Sequence, residues 1–358
     1  MMNGAYGSYT FSLRRWSLLK RIEKAGGNIR YISRHCGIVS AYVPNEEIRG
    51  ILEDPALLTA EVDQQVLLPK PKLIGVISRN RMIQKIKPTS QVVTWNVKKV
   101  WKGNPDPRAG AGVRVGVVDT GINLNHPDLR KNIKGGINIV EPKRPPHDGN
   151  GHGTHVAGII AARSNSIGVT GVAPAASLYA IKVLSDRGVG SISTLVRGID
   201  WGIDNGMHIL NLSLGGGKNI PAALARAIRV ANSRGVLVIA AAGNSANADG
   251  SGDTVEVPAS LPTVVAVAAL TRGNKRAPFS ATGPTLDIAA PGVSILSTYT
   301  GNRYAALSGT SQAAPHVSGV AAILRQQGMS SAAIKRTLSK RALTLGSRRL
   351  YGAGLVQV

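Results

Sequence analysis

Residues 113–121 read "VRVGVVDTG". The valines run almost unbroken up to Asp119, which is the pattern of a strand buried on both faces, and Thr-Gly then signals a turn. The same texture returns in "ASLYAIKVL" (176–184), "MHILNLSLGG" (207–216) and "VLVIAAAGN" (236–244). Between these runs, "HGTHVAGIIAAR" (152–163), "ISTLVRGIDWGIDNG" (192–206) and "AALARAIRVANSRG" (222–235) read as helices. Strands alternating with helices imply an α/β fold with a mostly parallel sheet and right-handed crossovers. Such sheets gather functional groups at the carboxyl ends of their strands, where Asp119 and Asn244 fall.

At 358 residues and 43% hydrophobic, the chain can bury one large core and a smaller one. Its formal charge of +24 raises the question of nucleic acid. The excess is spread, however: residues 1–89 carry 14 Lys/Arg against 7 Asp/Glu, and the remainder 29 against 12. No basic arm or stacking-aromatic signature accompanies it, so no specific nucleic-acid partner is expected. Cys36 is the only cysteine, which excludes an intrachain disulfide, and it reads as buried in "IRYISRHCGIVSAYV". The first 27 residues lack the ordering of a secretory signal, and no run of about 18 apolar residues could span a bilayer. A soluble chain is expected, with its compartment open.

Four segments are expected. Residues 1–27 form an N-terminal extension. Residues 28–69 form a small α+β unit around the helix candidate "NEEIRGILEDP", with Asn45 as N-cap and Pro55 as stop. Residues 70–90, rich in Lys, Arg and Pro, form a linker open to proteolysis, and residues 91–358 form the large α/β domain.

Three places in the large domain invite chemistry: Asp119, His152 behind "DGNG", and the stretch "SGTSQAAPHVSG" (308–319) with hydroxyls at Ser308, Thr310 and Ser311. A serine hydroxyl needs a base during attack, an imidazole suits that task, and a carboxylate fixes the imidazole tautomer. Composition alone does not choose among the hydroxyls. "HGTH" also admits a metal reading through His152 and His155, with His126 and Asp128 nearby.

"VVDTGINLNHPDL", "NGHGTHVAGIIAA", "NLSLGG", "AAAGN" and "SGTSQAAPHVSG" resemble, in order, the signature blocks of the subtilisin family of serine endopeptidases, over about Gln91 to the C-terminus. The resemblance implies a three-layer fold, an acyl-enzyme mechanism, and Asp119, His152 and Ser311 as orienting carboxylate, general base and nucleophile. It makes Asn244 a donor of the oxyanion hole and His155 a structural residue. Ser213, Leu214, Gly215 and Gly216 would wall the substrate channel opposite Ala241, Ala242 and Gly243. Gly188, Val189 and Gly190 would form its second edge, near a distant apolar subsite.

Glu256 would stand at the base of the primary pocket, where a small residue is common in the family. Its carboxylate either favours Lys or Arg before the cut or swings out to water. "ARSNSIGV" (162–169) resembles a structural calcium loop, with Arg163, Asn165, Ile167 and Val169 joined by Gln91 and Asp128 as ligands. Residues 28–69 resemble the inhibitory propeptide, which implies a self-inhibited precursor matured between about 69 and 90. The expected partners are protein or peptide substrates and the chain's own propeptide, with no membrane span and a monomeric state. Gln312 stands where many relatives carry methionine, which implies resistance of the nucleophile to peroxide.

Overall fold

Phe11 and Val39 pack against one another in the first of three separate cores, and it belongs to the N-terminal unit. The computed structural model describes residues 6–68, 72–77 and 91–358. The expected maturation point within 69–90 lies largely outside the described residues. The N-terminal unit comprises β1 (Tyr6–Leu13), α1 (Leu18–Lys24), β2 (Asn28–Ser33), β3 (Ile38–Pro44), α2 (Ile48–Leu52) and β4 (Leu57–Val62). Its strands form one sheet in the order β2-β3-β1-β4.

Residues 6–27 therefore belong to this unit, where a separate extension over 1–27 was expected. β1 is a central strand, antiparallel to β3 on one side and to β4 on the other, and it buries Phe11 and Leu13 while α1 buries Leu18 and Ile22. Removing it would split the sheet and expose that core. α2 also departs from expectation: it opens at Ile48 with Glu47 at its N-cap, two residues beyond Asn45.

Two strands follow, β5 (Gln65–Leu67) and β6 (Lys72–Ile77). The linker expectation for 70–90 is corrected in part, because β6 pairs antiparallel with a strand of the large domain. That domain continues through α3 (Trp95–Trp101), β7 (Arg114–Asp119), β8 (Ile133–Asn138), α4 (His152–Ala161), β9 (Ser177–Lys182), β10 (Val189–Ser191), α5 (Ile192–Asp204) and β11 (Ile209–Leu212). It is completed by α6 (Ala222–Ser233), β12 (Leu237–Ala241), β13 (Val265–Leu270), β14 (Ile288–Pro291), β15 (Ile295–Tyr299), β16 (Arg303–Ser308), α7 (Thr310–Gln326), α8 (Ser331–Arg341) and α9 (Arg348–Tyr351).

Seven strands run parallel in the order β14-β13-β12-β11-β7-β9-β8. Because strand side chains alternate, each strand feeds two cores. Val115, Val117, Leu178 and Ile239 face one closed by Val156 and Ile160 of α4 and Val317 and Val320 of α7. Val118, Ile181, Leu210 and Val238 face another closed by Leu195 and Ile199 of α5 and Leu224 and Ile228 of α6. The result is a three-layer α/β fold.

Candidate active site

Asp119 is the last residue of β7, and His152 the first of α4. Both are buried, and His152 Nδ1 lies 2.9 and 3.0 Å from the two Asp119 carboxylate oxygens. The turn into α4 is organised by Asp148. Its carboxylate accepts the Thr120 and Thr154 hydroxyls and the backbone N–H groups of Asn150, Gly151 and Thr154, all within 2.9 Å. Burial pushes the Asp148 carboxyl above the usual range, and those donors oppose the shift.

Ser311 is the second residue of α7 and fully buried. Its hydroxyl donates to Ser213 O at 3.0 Å, while the Ser213 hydroxyl donates to Ser311 O at 2.9 Å. His152 Nε2 has no hydrogen-bond partner among the described residues. The carboxylate–imidazole contact is thus formed, and the imidazole–serine contact is not. Serine χ1 has three staggered wells, and such contacts tighten when substrate is bound.

Asn244 follows β12, and its Oδ1 accepts both the Thr310 N–H, at 2.8 Å, and the Thr310 hydroxyl, at 2.9 Å. This fixes the amide with its Nδ2 hydrogens as the available donors. A Cβ at Gly309 would lie 3.2 Å from that Nδ2 and 2.8 Å from Gln312 Oε1, so glycine leaves the amide room. Thr310 also accepts the Gly243 N–H, at 3.1 Å. The sequence pattern did not reveal this role for Thr310, because it depends on a partner 66 residues away. Ser308 instead accepts the Ser294 N–H, and the Gln312 amide is buried without a hydrogen-bond partner among the described residues.

The metal reading of "HGTH" does not fit. His155 Nε2–H donates to Ile295 O and Ala305 O, both at 3.0 Å, and desolvation holds its pKa down at about 3. His316 is similarly buried beside Asn96 and Gln312 O, with its pKa lowered to about 4 by burial. No group of three or more His, Cys, Asp or Glu side chains gathers as a metal site among the described residues.

The expected channel walls lie on either side of β5. Val189 and Gly190 pair antiparallel with Leu67 and Val66, Leu67 bridges Gly215, and the Leu68 N–H donates to Gly188 O at 2.8 Å. Val66 is buried in one apolar cluster with Ile192, Leu195, Leu214 and Val257, and the same residues line a small pocket beside it. Ile192 and Leu195 were not foreseen as pocket residues, since each reads as one of many apolar positions in an amphipathic helix. Gly216 N–H donates to Val257 O, and Ala242 is held between the Val267 carbonyl and the Glu256 N–H, while Ala241 ends β12. The Glu256 side chain lies against Gly243: a Cβ there would sit 2.6 Å from its carboxyl carbon. Partial burial raises the Glu256 carboxyl, opposed by hydrogen bonds from the Ser245 side chain and the Asn244 N–H.

Around the expected calcium loop, oxygens converge. Gln91 Nε2 donates to Arg163 O and, at 2.8 Å, to Val169 O, with Asn165 Oδ1 at 3.4 Å. Gln91 Oε1 accepts the Asn165 N–H, and Asp128 accepts from Asn165 Nδ2 and the Val169 N–H. The Ile167 N–H donates to Asn165 Oδ1. A neutral amide here occupies a cradle of carbonyl and side-chain oxygens, the donor set a hard cation prefers.

A parallel sheet that delivers a carboxylate, an imidazole and a helix-N-terminal serine defines a serine-hydrolase architecture. The Subtilase family model matches residues 110–354. Subtilisin Savinase of Lederbergia lenta is 49% identical over 271 residues, covering 75% of this chain and 97% of that protein. An alkaline protease of Shouchella clausii is 44% identical over 323 residues, 89% of this chain and 77% of that one. Alkaline elastase YaB of Bacillus sp. (strain YaB) is 42% identical over 323 residues, covering 89% and 78%. The last two similarities exceed the length from Gln91 to Val358, so they reach into the N-terminal unit. The chain belongs to the subtilase family, and it is a serine-type endopeptidase acting on protein substrates. No helix among the described residues is long and apolar enough to cross a membrane.

Proposed function

We propose that Asp119, His152 and Ser311 act as a catalytic triad in a precursor held inactive by residues 6–68. The buried Asp119–His152 pair, with His152 opening a helix packed against the one that begins at Thr310 and Ser311, carries this reading. In it, His152 Nε2 takes the Ser311 proton as the oxygen attacks the scissile carbonyl carbon, and Asp119 stabilises the imidazolium. Asn244 Nδ2, oriented by Thr310, donates to the oxyanion alongside the Ser311 N–H. The imidazolium then protonates the leaving amine as the C–N bond breaks, and water releases the acyl group by the reverse proton path.

Substrate lies as an added strand between Ser213–Gly216 and Gly188–Gly190, an arrangement that tolerates many sequences. Glu256, folded against Gly243, supports a preference for Lys or Arg before the cut. Matched peptides ending in Lys, Leu and Phe test this with the mature protein and Ser311→Ala as control. The Lys-to-Leu rate ratio should rise with pH as the raised Glu256 carboxyl ionises; a ratio below one at all pH values excludes the preference.

Calcium fits the oxygen cradle, held by Asp128, Gln91 and Asn165 side chains and the Arg163, Ile167 and Val169 carbonyls, and its contribution is structural. A hundredfold excess of ion over Kd stabilises the fold by about 2.7 kcal/mol. A chelator should lower Tm in the native protein and leave Asn165→Ala unmoved.

The N-terminal unit acts as an inhibitor docked on the two helices beside the channel. Asp63 accepts the Ser193 N–H and hydroxyl at the start of α5, and Glu61 accepts the Ala222 and Ala223 N–H groups at the start of α6. Both carboxylates meet the positive end of a helix. Tyr31 and Cys36 donate to Asp200, and His35 lies 2.5 Å from Asp204. The catalytic unit works as a monomer.

A further inference from the structure

Lys182 is the one lysine or arginine that is buried among the described residues, in a chain that carries 43 of them. An ammonium taken out of water needs partners, and those that Lys182 finds belong to the turns around the catalytic pair. It ends β9, where it stands opposite Asp119, the last residue of β7. Its Nζ donates to Thr120 O and, at 2.7 Å, to the Asp186 carboxylate. Thr120 follows Asp119 directly, so the ammonium grips the chain where the orienting carboxylate leaves the sheet.

Asp186 reaches the other member of the pair. The Oδ1 that accepts Lys182 also accepts the Gly149 N–H at 3.1 Å, and the Asp186 backbone carbonyl accepts Asn150 Nδ2 at 2.9 Å. Asn150 Oδ1 in turn accepts the His152 N–H at 3.2 Å. A Cβ at Gly149 would fall 2.3 Å from Asp186 Oδ2, so the first glycine of "DGNG" lets the carboxylate in. Asp186 also lies in the turn that leads to the second channel edge: the Gly188 N–H donates to Ser185 O at 2.8 Å, and the Ser185 N–H to Val189 O at 2.9 Å.

We propose that Lys182 and Asp186 are positioning residues for the reaction, an ion pair that ties the Asp119 turn, the His152 turn and the Gly188–Gly190 edge into one unit. They act through Asp119 and His152, by fixing where the imidazole stands, and through their own charges. The ammonium disfavours the imidazolium and the carboxylate favours it. Asp119, Asp148, His155, His147 and Tyr299 also face this region, and changes at 182 and 186 leave all five in place. The inference rests on the reading of His152 as general base.

Steady-state kinetics of the matured protein across pH test it, in the natural form and with Lys182→Met, Asp186→Ala or Asp186→Asn. The Asp186 side chain is 60% exposed, so its variants carry the test even where Lys182→Met does not fold. Lys182→Met and Asp186→Ala should each lower kcat about ten- to a hundredfold with KM changed less, because a misplaced base weakens the transition state alone. Asp186→Asn keeps an oxygen for Lys182 and the Gly149 N–H, and should recover kcat relative to Asp186→Ala. The acid limb of kcat/KM should move to higher pH in Lys182→Met and to lower pH in Asp186→Asn, each by on the order of a few tenths of a unit. Natural kcat in both Lys182→Met and Asp186→Ala, or a loss of kcat that follows a lower Tm with the acid limb unmoved, overturns the positioning role while the protease reading stands. Casein hydrolysis that persists in His152→Ala strikes the reading of the base beneath it.

Discussion

The two structural units are held by different means. The large domain places its polar groups inside: Asp148 accepts five donors, Asn211 and Ser213 bond each other beneath Ser311, and two neutral histidines sit in apolar surroundings. The N-terminal unit has its own apolar core and meets its neighbour through carboxylates, a phenol, a thiol and an imidazole, and by burying Cys36, Ile38 and Val66 among the apolar side chains of α5 and α6. A network internal to one core fixes geometry for chemistry. Contacts between units that each keep a core of their own allow one partner to leave with its fold intact.

Substitutions at the centre should break the large domain's activity first. Ser311→Ala should lower kcat by roughly a millionfold, a figure that subtilisin itself supplies. Casein hydrolysis by the matured variant checks it. Asn244→Ala should cost about a hundred- to a thousandfold in kcat with KM little changed, again the scale known from subtilisin. Steady-state kinetics separate the two constants.

The buried histidines sharpen the contrast through pH. Their folded pKa values of about 3 and about 4 lie below the ordinary 6.5, so the unfolded chain binds more protons between those limits. Stability is then full above 6.5 and falls with acidification, each histidine costing about 1.4 kcal/mol per pH unit until its folded pKa is reached. Denaturant melts of the Ser311→Ala large domain should show this slope, reduced by half in His316→Gln if that variant folds alike.

The docking surface should respond least. Glu61→Gln and Asp63→Asn remove charge from two helix N-termini, where each interaction is worth about 0.3–1 kcal/mol. The isolated N-terminal unit should inhibit the matured enzyme about two- to fivefold less well for each change. Inhibition unaffected by both would place the affinity in β5 and Val66 instead.

Much of the centre was legible because its residues sit in short blocks whose local structure is self-evident. "VRVGVVD" must be a buried strand ending in a carboxylate, and "HGTHVAGIIAA" a helix opening on an imidazole. What stayed hidden depends on pairings far apart in sequence. β1 reads "YGSYTFSL", with Ser12 at a position that only a partner on each side can bury. Thr310 looks like a turn residue until Asn244 is set beside it, and the strand in 72–77 has no pattern of its own apart from the β16 edge. Glu256 was read to a position but not to a direction; its carboxyl lies beside Gly243.

A fluorophosphonate tests the central claim most directly. Reacted with the matured protein and mapped by peptide mass, it should form one adduct, on Ser311, lost in His152→Ala and strongly slowed in the intact chain. An adduct on another residue, or equal labelling of intact and matured protein, would contradict a Ser311 centre closed by its own N-terminal unit.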